Sequence, residues 1–243
     1  MRRRNPAPYG ALLWYDDLQA GVASCSPERF LRVTPDKTNT VSGDRRVEMR
    51  PIKGTCRRDP LADSAEDRRR AESLRSDAKE RAENLMIVDL IRHDLGWIAR
   101  GGTVAVPGLM EIESFATVHQ MVSTVCAQLP SDGVGDVGAL AHCFPPGSMT
   151  GAPKRRTTQI IDTLEGPRGV YSGCLGYFSA SGRQSDWSVV IRTAVVDQAG
   201  ARVSVGAGGA LTILSDPKAE WAEVETKLHA ALGGIEQYIL ECT

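Results

Sequence analysis

Hydrophobic and polar residues alternate in short runs through the first quarter of the chain. Tyr9 to Tyr15, Gly21 to Ser24, Phe30 to Thr34 and Arg45 to Ile52 show the period of two that marks extended chain. The last two are expected to pair around Ser42-Gly43-Asp44. The period then lengthens: Leu74, Ala78, Leu85, Val88 and the stretch Ile91 to Leu95 recur at helical spacing between charged residues. One long helix is therefore predicted from Asp63 or Ser64, as N-cap, to about Leu95, with Asp67 in its first turn and Gly101-Gly102 closing the unit. Beyond it the pattern predicts strands at Val104 to Val106 and Ser114 to Cys126, then helices at Val137 to Cys143 and Lys154 to Leu164. Gly173 to Ala180, Trp187 to Val196 and Arg202 to Val205, rich in β-branched residues, read as strands, and Ala219 to Tyr238 as a closing helix. The fold class is α+β with mainly antiparallel strands.

Composition narrows the function classes. The 243 residues carry a formal net charge of −1 with 24% charged and 42% hydrophobic positions, which fits one large or two small soluble domains. No basic excess is present to neutralise phosphates, which argues against a nucleic-acid partner. The longest apolar stretch, Leu85 to Ile91, is broken by Asp89 and falls short of the roughly 20 residues of a membrane span. Met1-Arg2-Arg3-Arg4 leads into Asn5-Pro6 rather than an apolar segment, so no secretory signal is read there and a cytoplasmic location is expected. Six scattered cysteines form no C-x-x-C pair and lack zinc spacing, so reduced thiols are expected.

Two blocks stand out chemically. Ser26-Pro27-Glu28-Arg29-Phe30 and Arg50-Pro51-Ile52-Lys53-Gly54-Thr55 each set one ionisable group among residues that constrain the backbone. Pro27 and Pro51 push the preceding residue toward extended geometry, so both blocks should end strands, and Gly54 permits close backbone approach. Taken alone, each block reads more readily as a surface turn with a solvated charge. Two Glu-x-x-Glu pairs, Glu80/Glu83 and Glu220/Glu223, fall on predicted helices, where i and i+3 share a face. Four converging carboxylates would suit Mg²⁺, a hard cation that keeps several waters, although either pair alone looks like a solvated helix face. The run Gly206-Ala207-Gly208-Gly209-Ala210 offers bare amides to an anion or makes a tight connection. Phe144 to Lys154 (FPPGSMTGAPK) is no phosphate loop, because no G-x-x-x-x-G-K-[ST] register can be drawn. His119 alternates with apolar residues as a core histidine of a strand would.

The order of these blocks carries a resemblance over nearly the whole chain. Asn5 to Tyr9 (NPAPY), SPERF, RPIKGT, Ala82 to Leu90 (AENLMIVDL), FPPGSMTGAPK, Ile191-Arg192-Thr193 and the glycine run resemble the chorismate-binding enzymes. That family includes component I of anthranilate synthase and of aminodeoxychorismate synthase, and the isochorismate and salicylate synthases. The resemblance implies an anthranilate synthase component I-like β-sandwich with flanking helices, here the catalytic portion alone, without the amino-terminal region that completes the sandwich. An exposed apolar sheet surface is expected where that region would pack. It further implies Mg²⁺ bound through the later glutamate of each pair, Glu83 and Glu223, and a chorismate carboxylate held by Arg192 and the amides of Gly208, Gly209 and Ala210. Thr150 would lie beside the substrate ring, and His119 would orient the substrate. Lysine at position 53 is typical of aminodeoxychorismate synthase component I, so Lys53 is expected as nucleophile and Glu28 as acid, in para-aminobenzoate and hence folate synthesis. Ammonia would come from a glutamine amidotransferase subunit. Anthranilate- or isochorismate-forming chemistry is the alternative enzyme reading, and a truncated chain that only binds chorismate or the amidotransferase is the non-enzyme one.

Overall fold

The computed structural model describes residues 6–36, 43–180, 184–199 and 201–233. The chain divides into two compact units that interleave in sequence: unit 1 is Met1–Glu28, Glu165–Leu175 and Ser188–Thr243, and unit 2 is Arg29–Leu164 with Gly176–Trp187.

Unit 1 opens with β1 (Tyr9–Tyr15), a 3-10 turn at Asp16–Leu18 and β2 (Ala20–Ser26). Unit 2 follows with β3 (Arg29–Pro35), β4 (Arg45–Arg50), β5 (Ile52–Arg57), α1 (Ala65–Ser76), α2 (Ala78–Gly96), β6 (Ala105–Ser114), β7 (Val118–Leu129), α3 (Asp136–Cys143), a single helical turn α4 (Gly147–Thr150) and α5 (Lys154–Leu164). Then come β8 (Cys174–Phe178), β9 (Ser185–Val189), β10 (Thr193–Asp197), β11 (Arg202–Val205) and α6 (Pro217–Leu232). The sheet of unit 1 runs β1-β2-β10-β11 and that of unit 2 β5-β7-β4-β3-β9-β8, with β6 also on β7. The fold is α+β with antiparallel sheets, as read from the pattern.

Both prolines end strands as expected, β2 at Ser26 and β4 at Arg50. Arg29 pairs with Arg50 across β3 and β4, while Ser42, in the turn expected between them, lies outside the described residues. The single long helix is two. Asp77 (ψ 118°) breaks the helical path, yet its carboxylate accepts from Glu80 N at 2.9 Å and so caps α2; Ser64 caps α1 in the same way. Two strand readings also change. Ser114 closes β6 rather than opening β7, and Trp187 to Val196 is split into β9 and β10 because Arg192 adopts φ 51°. The last helix ends at Leu232, and the part expected from residue 234 on lies outside the described residues.

The core of unit 2 stands between α2 and its sheet. Ile87, Val88, Ile91 and Leu95 line the inner face of α2, and Leu31, Val33, Val47, Met121, Val125 and Leu129 come from β3, β4 and β7. Each such side chain stabilises by about 1.5–3 kcal/mol on burial. Among the described residues no helix is long and apolar enough to cross a membrane.

Candidate active site

Unit 2 builds its share around the β4–β5 turn. Pro51 stops β4, and its carbonyl accepts from Ser123 N of β7 at 3.2 Å, which fixes where β5 restarts. Gly54 then adopts φ +98°, and a Cβ there would lie 3.0 Å from Leu74 Cδ1 and 3.2 Å from Glu80 Cβ. Only glycine satisfies both demands, and its bare backbone lets the start of α2 close on the strand. Asn84 locks that contact: its side-chain amide donates to Met121 O at 3.4 Å, and its Oδ1 accepts from Ser123 Oγ at 2.5 Å. The preceding residue, Glu83, is thereby held 6% exposed beside Lys53. Lys53 Nζ stands 3.9 Å from Glu83 Oε2, and Lys79 Nζ stands 3.6 Å from Oε1. The Lys53 side chain is 16% exposed and makes no hydrogen bond among the described residues.

His119 is occupied elsewhere. Its Nε2 lies 3.0 Å from Asp67 Oδ1 and its Nδ1 2.8 Å from Ser114 Oγ, so both ring nitrogens have protein partners, and the residue is 3% exposed. Hydrogen bonds from the Arg58 guanidinium hold the Asp67 carboxyl well below the usual carboxylate range against the opposing pull of burial, helped by the amides of Asp63 and Asp59. Thr150 ends the turn α4, half-buried, with long contacts of 3.4 Å from its hydroxyl to Pro146 O and Gly151 O.

Unit 1 gathers a second set. Arg192 sits where β10 begins, its carbonyl accepting from Cys25 N at 3.1 Å. Its guanidinium has no hydrogen bond or ion pair among the described residues. Burial pushes its pKa down, while nearby Tyr171 and Glu223 hold it up. Tyr171 lies against the glycine run: a Cβ on Gly206 would fall 2.3 Å from its ring, and one on Gly208 3.0 Å from its hydroxyl. Burial also raises the pKa of that hydroxyl. Lys227 Nζ joins α6 to the same run, pairing with Glu223 at 2.6 Å and donating to Gly208 O at 3.1 Å. Glu220 is 4% exposed, and a Cβ on Gly209 would meet its Oε2 at 3.2 Å. Ala210 does not need positive φ, so alanine leaves its amide as usable as glycine would. Glu28 is 6% exposed; its carbonyl accepts from Val189 N at 3.1 Å and its amide donates to Ser26 Oγ at 3.3 Å.

The structure thus brings Lys53, Glu80 and Glu83 together in one unit and Arg192, Gly208, Gly209, Glu220 and Glu223 in the other. Among the described residues no three His, Cys, Asp or Glu side chains are grouped as a metal would need. Within each unit a lysine pairs with the later glutamate, Lys53 and Lys79 with Glu83 and Lys227 with Glu223. The donors still suit Mg²⁺, which takes one or two carboxylates and fills its shell with water. Among the described residues Glu83 Oε1 is buried and accepts no hydrogen bond, with only the long Lys79 pair on it, as an oxygen able to take a cation would be.

The family model for chorismate binding enzyme matches residues 1–233. The chain belongs to the chorismate-binding enzymes. It is 49% identical over 238 residues to an aminodeoxychorismate synthase of Streptomyces pristinaespiralis, covering 98% of this chain and 31% of that protein. It is 40% identical over 238 residues to aminodeoxychorismate synthase component 1 of Escherichia coli, covering 98% of this chain and 49% of the relative. Among solved structures, anthranilate synthase component I from Streptococcus pneumoniae superposes with a TM-score of 0.78 at 32% identity, covering 95% of this chain and 47% of that one. The chain therefore spans between about a third and a half of the relatives it matches.

Three residues of this chorismate-binding chain escape a reading of sequence blocks: Tyr171, Lys227 as a ligand of the glycine run, and Lys79. Both lysines had a signal, each four residues from a glutamate on one helix face, Lys79 before Glu83 and Lys227 after Glu223.

Proposed function

We propose that this chain carries the chorismate-aminating chemistry of an aminodeoxychorismate synthase. The observation that carries the reading is Lys53, a lysine largely removed from water whose ammonium has, among the described residues, no hydrogen bond and one long ion pair, 3.9 Å to Glu83. A buried charge so weakly paired is costly unless the group has work to do there. The Lys53 amine attacks the chorismate ring while the C4 hydroxyl leaves, taking its proton from Glu28, and ammonia then displaces Lys53 to give 4-amino-4-deoxychorismate. Arg192, whose guanidinium makes no hydrogen bond or ion pair among the described residues, suits a planar carboxylate, for which its fork supplies two parallel hydrogen bonds, and the amides of Gly208, Gly209 and Ala210 add donors. Glu83 and Glu223, with Glu80 and Glu220 beside them, would hold Mg²⁺, which when bound neutralises the ring carboxylate. The ammonia would come from a glutamine amidotransferase partner, in keeping with the name component 1 of the Escherichia coli relative.

The test is incubation with chorismate and Mg²⁺, with and without ammonium, followed by rapid quench, digestion and mass spectrometry. Without ammonium the expected result is a ring-derived adduct on the peptide containing Lys53; with it, 4-amino-4-deoxychorismate. Anthranilate as product, with Lys53 unlabelled, would move the assignment to direct attack by ammonia.

A further inference from the structure

Lys154 draws three helices to one point. Its ammonium donates to Asp94 Oδ2 on α2 at 2.6 Å and to the carbonyl of Cys143, the last residue of α3, at 2.8 Å, while the residue itself begins α5. Both charged side chains are mostly buried, at 16% and 9% exposure. The ten residues between Cys143 and Lys154 form a loop whose two ends are thus held by one cation, and Thr150 stands within it. The middle of the loop meets α2 as well, for a Cβ on Gly147 would lie 2.5 Å from Leu90 Cδ2. Thr150 has only long contacts of its own, so its position is inherited from these anchors. Asp94 is the part that makes the anchor specific: burial raises its carboxyl pKa and Lys154 opposes that rise, so each charge is tolerated inside because the other is there.

We infer that Lys154 is a positioning residue for chorismate, clamping the Phe144 to Pro153 loop to α2 so that Thr150 is held against the helix that carries Glu80 and Glu83. The inference rests on the proposed amination of chorismate. It goes further in assigning a binding role to Lys154, the last residue of a block that is no phosphate loop.

The experiment is a double-mutant comparison on the whole chain, using the paired replacement Lys154→Met with Asp94→Asn so that no charge is left buried alone. Chorismate KM is expected to rise on the order of tenfold with kcat changed less than about twofold, since a contact made equally in the ground and transition states raises KM alone when it is lost. Thr150→Ala should raise KM in the parent chain and add little in the paired background, because residues acting as one unit are not additive. Lys154→Gln, which keeps a donor for the Cys143 carbonyl, takes the same measurements if the paired variant gives no cooperative melt. A lowered melting temperature with unchanged KM, or full additivity with Thr150→Ala, would overturn the role and leave Lys154 as scaffold. A parent chain that neither binds nor converts chorismate would instead overturn the amination reading, and this inference with it.

Discussion

Lys53 and Arg192 share an unusual condition, each being a mostly desolvated cation that donates no hydrogen bond among the described residues. Substitution should therefore cost binding or chemistry far more than stability. Lys53→Ala is expected to abolish the chorismate adduct and slow amination by about a hundredfold or more, whereas Glu28→Gln should slow adduct formation by roughly 10²–10⁴, the range for a lost general acid; rapid-quench mass spectrometry reads both. Arg192→Lys keeps the charge and loses the fork, so chorismate affinity should fall about tenfold in a fluorescence titration. Asp67 is the opposite case, a residue whose contribution is structural. Its folded pKa lies below the unfolded value, so its stabilisation is complete above the ordinary aspartate range near 4 and disappears as pH falls toward the folded value. Asp67→Asn should lower the melting temperature at pH 7 and leave a shallower loss of stability between about pH 5 and pH 3 than the parent shows. At this scale Lys53, Glu28 and Arg192 were named from the resemblance of their blocks to a family, since each block taken alone reads as a surface turn with a solvated charge. Alternation put His119 on a strand but could not name what covers that strand, and Asp67, 52 residues earlier, takes its Nε2.

Among the elements, the break at Asp77 was hidden because helical spacing continues across it. One extended ψ shifts the register without disturbing the apolar pattern, and the signal that remains is a capping aspartate three residues before Glu80. Asp77→Ala should lower unfolding free energy by about 1 kcal/mol, measured by denaturant titration, since the Glu80 amide loses its acceptor. The glycine run offers a sharper test. Gly206→Ala would push a methyl into the Tyr171 ring, so chorismate affinity should fall, and Tyr171→Ala in the same chain should restore the run while still lacking the ring. Calorimetric titration of the two single variants and the double one separates crowding from a need for the ring itself. Tyr171 could not be read beforehand because the contact joins segments 35 positions apart, and nothing in either segment marks the other.

For the molecule as a whole, the strand and helix content was legible while the interleaving of two units was not, since no window of sequence shows that β2 will pair with β10. Unit 1 exposes apolar side chains along its sheet, where the register places Trp14, Gly21, Val196 and Val203 on one face with Leu12 next along β1. Leu12 is 78%, Trp14 46% and Val203 38% exposed. Leu12→Ser with Trp14→Ser should reduce native-state binding of a hydrophobic dye and any self-association seen by light scattering; unchanged dye binding would place the sticky surface elsewhere. The pairing of Ala23 with Ala194 also sets a clock on synthesis. A ribosome adding about 5–20 residues per second needs roughly 10–30 s to pass from one partner to the other. For that interval the β1–β2 hairpin waits with an open edge and an apolar face, so a nascent chain stalled between α2 and β10 is the form that chaperones should capture most readily.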